Sequence, residues 1–137
     1  MKSILRNIFA VLVGIILGGF VNMGIIMVSG SVIPPPEGVD MTTTEGLIAA
    51  ANLLQPIHYL MPFLAHALGA FVGALIAGLI AASHKMIFAL SIGLVFLVGG
   101  IWMVFLVPAP TWFIVVDLVL AYIPMAYLAG KMTTKRA

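Results

Sequence analysis

Asn22, His66 and Asp117 stand inside long stretches that otherwise carry no charge. A carboxylate and an imidazole at one site can pair, hold a proton, or bind a cation or a polar head group, and a carboxamide beside them can complete the hydrogen bonding. Charge placed among apolar helices in a bilayer costs at least about 2.5 kcal/mol on insertion scales, so such a residue is a functional candidate by default. At a helical rise of about 1.5 Å per residue, Asp117 lies about 9 Å beyond Thr111 and His66 about as far beyond Leu60. Asn22 lies about 10 Å before Ser29 on the same count. These depths place the residues at one level and predict an internal polar cluster, with His58 and Tyr59 above it. Two roles remain open at this point. Asp117 and His66 could pair only to fix helix packing, with Asn22 taking up a leftover hydrogen bond, or the cluster could bind a proton, a cation or a head group.

Other chemistries find less support. The chain has no cysteine, which removes disulfides, thiolate nucleophiles, zinc–cysteine sites, iron–sulfur clusters and covalently attached c-type haem. His58, His66 and Asp117 could supply three metal ligands, but an eight-residue separation on a regular helix offsets the two histidines by about 80° and about 12 Å. No metal site is therefore expected and no cofactor can be named. A Ser-His-Asp triad is not supported, because Ser91 begins near the opposite side and no G-x-S-x-G is present. Glycine-rich phosphate loops and nucleic-acid signatures are absent from the sequence. The nine methionines read as lipid-facing and core filling.

The elements that must position these residues follow from composition. Of 137 residues, 64% are hydrophobic and 7% charged, against about 25% charged in a soluble domain. The bilayer is the expected solvent, and the fold class is an all-α integral membrane protein: one domain, residues 1–137, built as a four-transmembrane-helix bundle. Each span should have about 20 apolar residues. The expected spans are 4–28, 57–83, 86–107 and 111–130, with a loop over 29–56. The first is read as a retained helix, since its apolar run is longer than a signal peptide's and no A-x-A site follows. Pro34-Pro35-Pro36 ends any helix before it. Thr42 and Glu45 have capping-box spacing, which predicts a short extra helix over about 43–54 in that loop. Pro62 belongs either in the first turn of the second span or at a kink in it, and Pro124 interrupts the fourth.

Small residues recur every fourth position. On the second span Gly69, Gly73 and Ala77 form one row and Ala70, Ala74 and Gly78 another, with His66 heading the latter. Gly14 and Gly18 form a row on the first span with Asn22 next in register. Such rows let helices pack closely, and the first and second spans are the expected partners. Gly93 and Gly100 share a face of the third.

Lys2, Arg6, Lys85, Lys131, Lys135 and Arg136 all fall on one side of four spans, whereas Glu37, Asp40 and Glu45 fall on the other. The positive-inside rule then puts both termini in the cytoplasm and the chain in the plasma (bacterial inner) membrane. Trp112 and Tyr59 are expected at the outer interface and Tyr127 at the inner one. The net charge of +2 marks topology, and no nucleic-acid partner is expected.

In size and helix number the chain resembles the small multidrug-resistance transporters. Their essential glutamate in the first helix has no counterpart here, where Asn22 is the strongly polar residue, and the one-sided charge bias departs from a dual-topology member. The favoured function is a binding or accessory subunit that holds a lipid, a quinone or a protein partner, as a homo-oligomer or within a larger membrane complex. The alternative is a small oligomeric transporter or channel with Asp117 and His66 as its proton or cation site. An intramembrane enzyme using the same pair as acid and base is the third class, less favoured because no recognisable catalytic set accompanies it.

Overall fold

The computed structural model describes residues 1–135; Arg136, counted above among the basic residues, and Ala137 lie outside the described residues. Four helices are long and apolar enough to cross a membrane. They are α1 (Lys2–Val32), a 3-10 turn (Pro56–Tyr59) continuing into α3 (Leu60–Ile80), α4 (Lys85–Leu106), and a broken pair formed by α5 (Thr111–Leu120) and α6 (Ile123–Thr134). The short α2 (Thr44–Ala50) lies between α1 and α3, and no strand occurs among the described residues.

Several boundaries differ from the sequence expectation for local reasons. The helix α1 runs four residues past Val28, because nothing opposes it until Ile33, which precedes Pro34 and is extended. The helix α3 stops at Ile80, where side chains of α1 take over its end. Arg6 Nε donates to the Ile80 carbonyl at 2.5 Å, and Asn7 Oδ1 accepts from the Ala82 amide at 2.8 Å. The cation thus serves a carbonyl that a helix C-terminus leaves unpaired, and the carboxamide holds an amide of the turn just beyond it. Gly130 does not end the last helix. Its missing side chain lets α6 close on Met86 and Ala89, and the helix continues to Thr134.

The extra helix is shorter than expected, and its cap is Thr43, whose hydroxyl accepts from the Gly46 amide at 3.0 Å. Glu45 therefore sits too early for a capping box. Thr42 instead binds Asp40 through its hydroxyl (2.5 Å) and its amide (2.8 Å), and these bonds hold the Asp40 carboxyl below its ordinary range. A carboxylate whose folded pKa is lowered adds stability above its unfolded pKa and loses it as pH falls, so this turn loosens in acid.

The helix α3 is the hub: α1, α4 and α6 all pack on it. Its two rows of small residues, one position apart, point about 100° apart and receive different partners. Gly69 and Gly73 meet Gly18 and Gly14 of α1. A Cβ on Gly14 would stand 2.7 Å from the Gly73 carbonyl oxygen, and one on Gly18 2.6 Å from that of Gly69. Ala74 joins Ala89, Ile92, Ala126 and Ala129 in a core shared with α4 and α6, and Gly78 abuts Thr133 of α6. In the same way Gly93 and Gly100 on α4 receive Ala126 and Tyr122. Without large side chains to interlock, close backbone approach and dispersion hold these helices together.

Beyond Gly18 no residue of α1 is fully buried, and a Cβ on Gly19 or Gly24 would meet nothing within 4 Å. The first helix is therefore packed along its first half and separates from the bundle along its second. His84, between α3 and α4, adopts a left-handed conformation (φ 49°) that closes the tight turn.

The glycine contact predicts a graded response. Gly73→Ala, whose Cβ must displace the α1 backbone, should destabilise by about 1–3 kcal/mol, as overpacking does. Gly99→Ala, in open space, should be neutral or slightly stabilising. Thermal unfolding of both variants in detergent checks this; equal stabilities would deny that Gly73 lies in an interface.

Candidate functional site

Asp117 is 5% exposed, and all its hydrogen bonding comes from side chains of the bundle. His66 Nδ1 lies 2.8 Å from Oδ1 and 3.0 Å from Oδ2. The Tyr122 hydroxyl donates to Oδ2 at 3.0 Å. The imidazole and phenol rings stack, with centroids 5.7 Å apart and planes 26° apart. With Asp117 assigned as a carboxylate, which is acceptor-only, Nδ1 carries the proton of that bond. Asp117 thereby fixes the orientation of the imidazole, whose Nε2 has no partner among the described residues.

Tyr122 is the member of this network that its sequence position conceals. On an unbroken helix a residue five positions on from Asp117 points about 140° away. The chain breaks at Ala121–Tyr122, just before Pro124, which has no amide hydrogen to bond the Leu120 carbonyl. The break rotates Tyr122 back under Asp117. Its phenol fits because α4 has glycine at position 100, where a Cβ would strike the ring and hydroxyl. The usable signal was a mid-span tyrosine two residues before a proline, since a buried phenol requires a partner.

Asn22 is at the expected level but does not bond to His66 or Asp117. It follows Gly18 on the face of α1 that meets Gly69, whereas His66 heads the row of α3 that meets α6. Its Oδ1 is buried without a partner, and so is the Tyr59 hydroxyl. Tyr59 is 7% exposed, packed between Trp112 (5.7 Å, edge-on) and Phe113 (4.7 Å). It therefore faces inward. Trp112 and Tyr127 are about half exposed, and Lys131 Nζ lies 5.4 Å from the Tyr127 ring centre. His58 belongs to the 3-10 turn. Its Nδ1 accepts from the Gln55 amide at 2.9 Å, so Nε2 carries the proton toward the Pro34 carbonyl at 3.3 Å. It pins the loop to the start of α3, and Pro62 stands harmlessly in the first turn of that helix. Among the described residues no group of three His, Cys, Asp or Glu side chains is placed to hold a metal ion. The Ser91 hydroxyl bonds the Phe88 carbonyl of its own helix.

All the candidate polar residues meet at one feature. A cavity of about 380 Å³ is lined by Asn22, His58, Tyr59, His66 and Asp117 together with apolar residues of α1, α4 and α5. It occupies the half of the bundle where α1 separates from its neighbours, and Pro35, Met41, Leu47 and Leu54 of the loop and α2 segment close it above. Among the described residues no Lys or Arg lines it. Its size and its mostly apolar wall with a few polar groups are those of a small-molecule site. Comparison of the chain with protein-family models, curated proteins and solved structures finds no match, so the reading of the site rests on its geometry.

The network predicts an order of stabilities. Asp117→Asn keeps an acceptor for His66 or Tyr122 and should cost least. Asp117→Leu orphans both partners and should cost about 1–3 kcal/mol for each buried group left unsatisfied. Adding His66→Leu and Tyr122→Phe should recover most of that loss, because the orphaned groups go with it. Thermal unfolding of the series reads the order; an Asp117→Leu single variant as stable as wild type would mean the network holds nothing together.

Proposed function

We propose that this chain is a four-span integral membrane protein that binds a small amphipathic molecule in the cavity, as a binding or accessory subunit of the bacterial inner membrane. The observation that carries the proposal is the placing of buried, unpartnered polar atoms, Asn22 Oδ1 and the Tyr59 hydroxyl, on residues of one mostly apolar cavity. Buried polar groups are ordinarily hydrogen-bonded, and a ligand that presses aside what covers these two atoms would supply what the protein does not. The orientation follows from charge: Lys2, Arg6, Lys85, Lys131 and Lys135 lie toward one end of the helices, and Glu37, Asp40 and Glu45 toward the other. With the basic end cytoplasmic, the cavity lies in the outer half of the membrane under the loop that contains α2.

The second reading, a transporter that titrates His66 and Asp117, is favoured by the position of that pair on the cavity wall. Against it stands the other half of the bundle, where Ala74, Ala77, Ala89, Ile92, Ala126 and Ala129 leave no polar continuation. Binding without passage is the simpler use of a cavity that stops at this packed half.

One labelling experiment tests orientation and access together. In intact cells, an impermeant thiol reagent should label Gly38→Cys and leave Thr134→Cys unlabelled, and a small membrane-permeant methanethiosulfonate should also modify Asn22→Cys. Labelling of Thr134→Cys from outside would reverse the topology. An inert Asn22→Cys would mean that the cavity is sealed and binds nothing.

A further inference from the structure

We infer that the cavity takes a neutral, apolar-tailed molecule with a hydroxyl head, a quinol or a long-chain alcohol, entering sideways from the lipid between α1 and α4. This rests on the binding role proposed above and concerns the chemistry of what is bound.

The head is specified by the polar atoms that lack partners. Asn22 Oδ1 is an acceptor and needs a donor. His66 Nε2 is the remaining nitrogen of an imidazole whose Nδ1 is engaged by Asp117. The Tyr59 hydroxyl can donate or accept. A hydroxyl has one proton and two lone pairs: it can donate to Asn22 Oδ1 and accept from the Tyr59 hydroxyl, while His66 Nε2 asks for a second donor, which a quinol carries. A ketone, an ester or an oxidised quinone can accept from the Asn22 amide or the Tyr59 hydroxyl but offers no donor to Asn22 Oδ1. An anionic head is disfavoured, because among the described residues no Lys or Arg lines the cavity and the nearest formal charge is the Asp117 carboxylate itself. That carboxylate is already engaged by His66 and Tyr122, so it does not call for a cationic head.

The route is specified by the rim. The first halves of α1 and α4 are in contact, with Ile92 and Phe96 beside Gly14 and Gly18. One turn further on the two helices face each other across the cavity, with Asn22, Met23 and Ile26 on one side and Gly100, Met103 and Val104 on the other. Met23 and Met103 line the cavity yet are 54% and 42% exposed, more than residues of an enclosed wall would be. They are therefore at its lateral edge, where flexible thioether side chains can yield to a tail. A volume of about 380 Å³ holds a ring or a short chain, and the rest of a long tail would remain in the bilayer.

The test uses probes that share one tail: a decyl-substituted benzoquinol kept reduced, its oxidised quinone, 1-decanol and decanoate. Each is added to the purified full-length protein in detergent, and the unfolding midpoint is read. A ligand that binds only the folded state raises that midpoint. The quinol should raise it by about 3 °C or more, the scale of a stabilisation of order one kcal/mol, and Asn22→Ala should abolish the shift. A shift from the quinol alone assigns an aromatic head, and an equal shift from 1-decanol assigns a simple alcohol; both support the inference. Equal or larger shifts from the oxidised quinone or from decanoate would overturn the requirement for a hydroxyl while leaving the cavity a binding site. So would a quinol shift that Asn22→Ala leaves intact. If no probe shifts wild type the hydroxyl inference fails, and the modification of Asn22→Cys then decides separately whether the cavity is open at all.

Discussion

A carboxylate placed within an apolar helix must have its hydrogen bonds met by its neighbours, and much of this structure is arranged around meeting those of Asp117. One oxygen faces the His66 ring, and the other is shared between that ring and the Tyr122 hydroxyl. The first requirement aligns the start of α3 with the middle of α5. The second requires α5 and α6 to break between them, because a continuous helix would carry Tyr122 to another side. The phenol then needs room, which Gly100 provides on α4. A single buried acidic side chain thus links α3, α4, α5 and α6, and it accounts for a proline and a glycine whose types would otherwise be unexplained.

The same economy of space shapes the cavity. Adjacent rows of small residues on α3 draw α1 to one side and α6 to another, but they serve α1 only as far as Asn22. Past that residue α1 offers Met23, Ile26, Ser29 and Gly30 with no helix pressed against them, and the loop anchored by His58 on Pro34 closes the space above. A tightly packed half and an open half follow from where the glycines stop. Local packing is weakest where the proposed site lies, as is usual for elements that bind.

Legibility in the sequence followed the physics of each feature. Length and hydropathy are one-dimensional, so the four long helices could be read directly, as could the rows at Gly14, Gly18, Gly69 and Gly73. Depth along a helix is also a count, and it brought Asn22, His66 and Asp117 to one level. Azimuth is not, and there the reading ran out. Gly69 and Ala70 are neighbours in sequence yet face different helices, so Asn22 and His66 share a cavity wall without sharing a hydrogen bond. Tyr122 was hidden because its position depends on a break that a regular count ignores. The cap at Thr43 was hidden because Thr42, Thr43 and Thr44 are alike, and only the prior claim of Asp40 on Thr42 distinguishes them.

A small molecule held in the cavity against Asn22 and His66 should leave the membrane with the protein. Native mass spectrometry of the protein released from its own membranes in mild detergent tests this most directly. The account predicts a stoichiometric adduct with the mass of an uncharged amphiphile on wild type, lost from a folded Asn22→Ala variant. Wild-type protein that is bare, or that carries only the same heterogeneous phospholipid as the variant, would contradict it.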